Sequence, residues 1–327
     1  MSLPWLEPPT LTVDGCLPPR ERFAQMPDEA LAKGRALLAA MTAEVPSKFK
    51  YLADLANLRT GGRFHQEAIA LAEVLGSDWR IVLAANLAYD VVVAYHYGCS
   101  TVALATADGP VLARNMDWYP EGALARASYL IRAEADKQLV FAHAGFPGSI
   151  GVVSGLSGRG FGIALNAVHP TSAVDLLGYP VLLHIRRVLE DAQGFDDAVH
   201  RLANQRLCAP CLLTVVGREN HQRAIIERTP REHALRTPHD DEPIFVTNHY
   251  RSIVEPSAPP GGHQCSRYDA LRDLHQDVDV STNISDAQLL YHLTDDRVIQ
   301  DHTAQHVIMR PRDGHIKLCV PARFVDR

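Results

Sequence analysis

The chain has no block of lysine and arginine dense enough to grip a polyanion. Its 32 basic residues are outnumbered by 38 acidic ones, for a formal net charge of -6, so nucleic acid is not an expected partner. Nor is any stretch apolar and long enough to span a bilayer. The longest apolar run, residues 81–97, is interrupted by Asn86 and Asp90 and falls short of the roughly 20 residues a span requires. The opening Met1-Ser2-Leu3-Pro4-Trp5-Leu6-Glu7-Pro8-Pro9 holds neither a basic nor an apolar block, so no secretion signal is read and the expected setting is cytoplasmic. Cysteine is scarce: Cys16, Cys99, Cys208, Cys211, Cys265 and Cys319 are scattered too widely for a disulfide framework, and a reducing compartment is the simpler reading. Metal and cofactor patterns are missing as well. His302 and His306 lack the intervening Glu of the metalloprotease motif and a third ligand, which reads them as solvated. Gly155, Gly158 and Gly160 have the wrong spacing for a dinucleotide fingerprint and read as hairpin glycines. No cofactor and no metal are expected. Internal repeats and low-complexity tracts are not evident.

What is present is apolar material for one large domain or two ordinary ones: of 327 residues, 46% are hydrophobic and 21% charged, enough to fold without staples. The first 20 residues are Pro-rich and read as an extended arm, with Leu11-Thr12-Val13 as a short strand. Helices are expected from Pro27 onward, over 47–58, 64–75 and, capped by Ser77 or Asp78, over 78–95. After Gly98 the texture changes to short strands, at 100–105, 111–115, 128–133, 138–142, 150–154 and 161–165, with Asp108-Gly109 favouring a type I′ turn. Helices at 181–191 and 195–203 follow, then strands at 212–216, 224–227, 233–236 and 244–246. A Pro/Gly loop at 251–263 leads to helices at 266–275 and 286–293 and a closing hairpin around Asp313-Gly314. Strand runs alternating with helix pairs fit an α+β layered domain of two packed sheets covered by helices.

The stretch around Cys99 carries the chemistry. Taken alone, Cys99 reads as a small buried hydrophobe, and Arg114 with Asp117 as a surface ion pair after a hairpin. Their arrangement says more. The hairpin brings Arg114 and Asp117 back beside Cys99, where a guanidinium would lower the thiol pKa and a carboxylate would orient an ammonium group. Gly98 supplies freedom for a strained scissile peptide at the point where helix gives way to strand. If the chain cuts itself between Gly98 and Cys99, the new α-amine, with a reference pKa of about 7.7 to 8.0, can act as base for its own thiol. Cys208-Ala209-Pro210-Cys211 has redox spacing but no helix start after it. His263 near Cys265 lies in a loop where spacing is no evidence of a catalytic pair.

Asn86-Leu87-Ala88-Tyr89-Asp90 leading into Cys99-Ser100-Thr101, then Arg114-Asn115-Met116-Asp117, resembles the junction of acid ceramidase and the related acid amidase that hydrolyses N-acylethanolamines. These are N-terminal-nucleophile (Ntn) hydrolases, with choloylglycine hydrolases and isopenicillin acyltransferase as relatives. The resemblance extends to Thr12-Val13-Asp14 with Pro18 to Arg22, to Gly148 to Asn166, to Ile226-Glu227-Arg228, to Thr247-Asn248-His249-Tyr250 and to Ser266-Arg267-Tyr268. It departs in having Ser100-Thr101 in place of Thr-Ser and Ala167 where lysosomal members have Glu. The missing signal peptide also removes the lysosomal setting.

The resemblance implies a four-layer αββα core of two mainly antiparallel sheets with a helical N-terminal segment. Residues 1–98 would form an arm and helical piece that stays bound after self-cleavage, and residues 99–327 the catalytic piece headed by Cys99. Arg114 would steady the thiolate or the substrate carbonyl, Asp117 would hold the α-amine, and Asn248 would donate to the oxyanion. Arg267 matches a second family arginine near the pocket, and Asn166 is carried over as a lesser oxyanion or pocket position. The expected reaction is hydrolysis of a small-molecule linear N-acyl amide with an apolar acyl chain, through a thioester on Cys99, the chain lying in an apolar pocket between the two pieces. Acyl transfer to an amine and a catalytically silent lipid-amide-binding protein are the alternatives. Oligomeric state is left open.

Overall fold

The computed structural model describes residues 4–43, 50–91, 97–168, 174–254, 265–276, 278, 280–281 and 283–325. The first part holds β1 (Trp5–Leu6), β2 (Thr10–Asp14), α1 (Pro19–Ala24), α2 (Asp28–Thr42), α3 (Lys50–Arg59), α4 (His65–Leu75), α5 (Trp79–Ala85) and α6 (Ala88–Val91). Next come β3 (Tyr97–Leu104), β4 (Val111–Trp118), α7 (Glu121–Ala127), β5 (Tyr129–Ala135), β6 (Gln138–Gly145), β7 (Ser154–Ser157), β8 (Phe161–Ala167), α8 (Val181–Asp191) and α9 (Phe195–Asn204). The remainder is β9 (Cys211–Val216), β10 (Arg223–Arg228), β11 (His233–Arg236), β12 (Ile244–Val246), α10 (Ser266–His275), α11 (Asp286–Leu293), β13 (Thr303–Arg310) and β14 (His315–Pro321).

These strands form a six-stranded sheet, β1-β14-β13-β4-β3-β12, and an eight-stranded sheet, β11-β10-β9-β8-β7-β6-β5-β2. Both are antiparallel apart from the pairing of β2 with β5. Successive side chains on a strand point to opposite faces, and here both faces of both sheets are covered. Ala103, Leu112, Val307 and Met309 meet Ala142, Leu156, Ala164 and Leu212 between the sheets. The alternate residues Val102, Leu104, Val111 and Ala113 pack under Leu271, Leu289 and Leu293 of α10 and α11. On the far side, Ile163, Leu165, Leu213 and Val215 lie against α8 and α9. The order of layers is therefore helix, sheet, sheet, helix, an α+β architecture. Helices α2 to α5 pack by Ala30, Ala53, Leu71, Leu75 and Leu83 onto Leu11, Tyr129 and Ile131 at the β2 edge of the eight-stranded sheet.

Several local expectations are corrected. The helix expected over 78–95 stops at Ala85 and resumes at Ala88, because the Asn86 side chain accepts from the backbone N–H of Ile150 and Gly151, at 2.7 and 3.0 Å; residues 92–96 lie outside the described residues. With Ile150 and Gly151 held by Asn86 and the Val152 N–H donating to Leu182 O at 3.1 Å, β7 begins only at Ser154. The Pro-rich arm ends in a helix, α1, begun by Pro19 at its first position. The Asp108-Gly109 turn is not type I′, since Gly109 has positive φ and Asp108 does not; two successive positive φ values occur at Asp136 and Lys137, in the two-residue connection of β5 to β6. Gly98 is extended and paired with Asp117, not in the left-handed region. Its value is steric: a methyl group there would stand 3.2 Å from both Cβ and Oδ2 of Asp117.

Candidate active site

The register of β3 against β4 sets Gly98 opposite Asp117, Cys99 opposite Met116 and Thr101 opposite Arg114. Alternation then divides the residues between two faces. Cys99, Thr101 and Arg114 face the eight-stranded sheet, while Gly98, Ser100 and Asp117 face the side covered by α10 and α11.

On the inner face, Arg114 Nη2 donates to Cys99 Sγ at 2.7 Å and Arg114 Nη1 to Ser154 Oγ at 2.7 Å. Both Cys99 and Arg114 are fully buried. The planar guanidinium fork thus fixes the sulfur and a serine hydroxyl together. On the outer face, Asp117 Oδ1 accepts from Thr303 Oγ1 at 2.6 Å. Its Oδ2 has no hydrogen bond among the described residues and lies 3.6 Å from Arg267 Nη1. That carboxylate oxygen is beside Gly98, next to the nitrogen that would become an amine.

Between the faces, Cys99 N–H donates to Asn248 Oδ1 at 3.3 Å. Asn248 Nδ2 donates to Ala167 O at 2.7 Å. Arg267 Nη1 donates to Cys99 O at 2.7 Å and to Ser100 Oγ at 2.9 Å, and its Nη2 to Asn248 Oδ1 at 2.7 Å. Five residues read from the sequence, Cys99, Arg114, Asp117, Asn248 and Arg267, are thus brought together. Asn166 is adjacent but committed. Its Oδ1 accepts from Thr101 Oγ1 at 2.7 Å and its Nδ2 donates to the carbonyls of Val246 and Thr247, so its amide ties β8 to the chain entering Asn248 and is not free to bind an oxyanion. Ser154 and Thr303 are not legible in the sequence as site residues. They reach the site from β7 and β13, and no local spacing marks them.

Other candidates resolve differently. Cys208 donates its thiol to Gly178 O at 3.1 Å, and burial pushes its pKa up; burial pushes Cys211 up to about 12. Both are poor thiolates, as a redox pair should not be. His306 is not solvated: it is fully buried, 2.7 Å from Asn115 Oδ1, and desolvation lowers its pKa to about 3. His263 lies outside the described residues. No group of metal-ligating side chains is found among the described residues, and none of their helices is long and apolar enough to cross a membrane.

A cleft opens beside the site. Gly34, Leu37, Leu38 and Met41 of α2 line one wall, and Trp118, Leu124 and Val153 the other. Trp118 follows Asp117 directly and stacks on Tyr89 at a centroid distance of 5.9 Å, which joins the cleft to the end of the β3–β4 hairpin.

Two facing sheets between helical layers are the architecture of the Ntn hydrolases. The structure of a Caenorhabditis elegans N-acylethanolamine-hydrolyzing acid amidase (NAAA) ortholog aligns with a TM-score of 0.57 at 18% identity, over 65% of this chain and 93% of that one. A mutant form of the conjugated bile acid hydrolase from Clostridium perfringens aligns with a TM-score of 0.41 at 13% identity, over 69% of this chain and 92% of that one. No curated protein matches. The model of the acyl-coenzyme A:6-aminopenicillanic acid acyl-transferase family matches residues 104–307, and the chain belongs to that family. The matched span holds Arg114, Asp117, Asn166, Asn248 and Arg267 and starts just after Cys99.

Proposed function

We propose that the chain is a self-processing cysteine amidase that cuts itself between Gly98 and Cys99 and then hydrolyses a linear N-acyl amide. The observation that carries this reading is the convergence on one residue: Arg114 on the Cys99 sulfur, Asn248 on its nitrogen and Arg267 on its carbonyl. In the cut form the Cys99 amine takes the thiol proton, the sulfur attacks the substrate carbonyl, and the amine returns the proton to the departing nitrogen. Asp117 holds the resulting ammonium. Ala167 O engages one N–H of the Asn248 amide, which leaves the second to meet the charge that develops on oxygen. Water then releases the acid from the Cys99 thioester. The cleft between α2 and Trp118 suits an apolar acyl chain, which favours ceramide-like and N-acylethanolamine-like amides. Residues 1–98 stay attached, because stripping their buried helices from the sheet would expose side chains at roughly 1.5 to 3 kcal/mol each.

Intact mass tests processing: the wild type yields two fragments that sum to the chain plus one water, and Cys99→Ala yields one. An unprocessed wild type that still binds lipid amides without turnover overturns the proposal in favour of a silent binding protein. Release of free acid from a panel of ceramides, N-acylethanolamines, bile-salt conjugates and N-acyl amino acids identifies the substrate. The family match favours a second reading, acyl transfer. An added amine acceptor that diverts the acyl group from free acid to a new amide establishes it.

A further inference from the structure

Glu227 lies on β10, in the sheet opposite Cys99, and its side chain is completely buried. Its Oε2 accepts the backbone N–H groups of Arg251, Ser252 and Ile253 at 3.1, 2.8 and 2.9 Å. Its Oε1 accepts from Arg251 N–H at 2.9 Å and from Arg236 Nε at 2.7 Å. Three successive amides converging on one oxygen form an anion-binding concavity, here filled by the protein's own carboxylate. A buried charge survives only with such compensation. The result is a fixed course for residues 251–253.

That course matters because of what lies to either side. Three residues earlier stands Asn248, which holds the Cys99 nitrogen. The intervening Tyr250 donates its hydroxyl to the carbonyl of Arg228, the neighbour of Glu227 on β10. In the other direction, the Arg251 guanidinium sits 3.7 Å above the Tyr268 ring centroid. Tyr268 adjoins Arg267, which holds the Cys99 carbonyl and the Asn248 side chain. Both groups that grip the Cys99 backbone are thereby referenced to one carboxylate.

We infer that Glu227 is a positioning residue for the Cys99 site: through residues 251–253 it sets Asn248 and Arg267 against Cys99 without itself touching substrate. This rests on the reading of Cys99 as the nucleophile. The test compares wild type with Glu227→Gln, whose amide places an N–H against either the backbone amides or Arg236, and with Arg251→Ala, which is exposed and removes only the link to Tyr268. Hydrolysis of an N-acyl amide and alkylation of Cys99 by iodoacetamide, mapped by peptide mass, are measured on each. Glu227→Gln is expected to lose about tenfold or more in kcat with KM within about twofold. The Cys99 alkylation rate should change about fivefold or more at unchanged near-UV circular dichroism. Arg251→Ala should show the same changes at smaller size, and decides the matter if Glu227→Gln fails to fold. Wild-type kcat and alkylation in a folded variant overturn the inference. An altered alkylation rate in a protein that hydrolyses no amide upholds the positioning role and removes the amidase reading instead.

Discussion

Arg114 places a full charge in a site with no exposure to solvent, held by two short contacts to neutral partners, Ser154 Oγ and Cys99 Sγ. A buried cation persists only with close hydrogen-bonding partners, and here one fork reaches the hydroxyl and the thiol together. Arg114→Lys keeps the charge but loses the planar fork that reaches both atoms. It should lower kcat/KM for an N-acyl amide by about 10- to 100-fold, a cost of roughly 1.4 to 2.7 kcal/mol in transition-state binding, while Cys99→Ala abolishes both turnover and processing. Unchanged kcat/KM in Arg114→Lys would remove the guanidinium from the mechanism. The sequence makes this part of the site legible because Cys99, Arg114 and Asp117 share one hairpin, and a hairpin's register follows from local pattern. Asn248 and Arg267 come only through resemblance, since one lies just beyond β12 and the other on α10. Thr303 gives no signal, and Ser154 and Glu227 lie in resembling stretches that do not single them out: a polar residue recruited across two sheets looks, in sequence, like any other polar residue in a strand.

At the level of elements, the break between α5 and α6 is the departure with most consequence. Asn86 sits in an apolar run that reads as one continuous helix, yet its side chain binds Ile150 and Gly151 through oxygen and the Val82 and Gly148 carbonyls through nitrogen. One amide thus fastens the loop that floors the cleft between α2 and Trp118. Asn86→Ala leaves two buried N–H groups unpaired and should destabilise the protein by about 2 to 6 kcal/mol, at roughly 1 to 3 for each lost partner. It should also weaken discrimination among acyl chain lengths, measured as the ratio of kcat/KM for long and short amides. Denaturant midpoints and selectivity matching wild type would deny the loop this anchor. Helices with clear start signals are legible there: α8 follows Pro180, and α11 is opened by a Ser285–Gln288 capping box. Strands β3 and β4 run further than the pattern suggests, because a strand covered on both sides has no polar face to mark its limits.

Across the whole molecule, buried histidines govern the response to acid. Desolvation lowers His143, His184 and His306 to about 3, against an unfolded value near 6.5. The unfolded chain therefore takes up protons that the folded one refuses, so the stability these groups supply is present above about pH 6.5 and lost as pH falls toward 3. Asp90 works the other way. Desolvation raises it to about 7, so its contribution is present below its ordinary value near 4 and lost as pH rises through 7. His275, lowered to about 4 by desolvation, adds a fourth imidazole, so between about pH 4 and 6.5 four protons oppose one and stability should fall on acidification. Calorimetry at about pH 7, 6 and 5 should give a steadily falling Tm; a rising one would show that these imidazoles accept protons in the folded state. The arrangement of β3 bears on activation in a different way. Tyr97 and Gly98 are laddered to Trp118 and Asp117 on the same strand pair that continues through Cys99. Severing the peptide bond would leave the upstream stub zipped in place, still masking the newborn amine. On the proposed self-cleavage, becoming competent would take two events, scission followed by peeling of that short end, and a synthetic peptide matching the stub should then slow hydrolysis of an N-acyl amide.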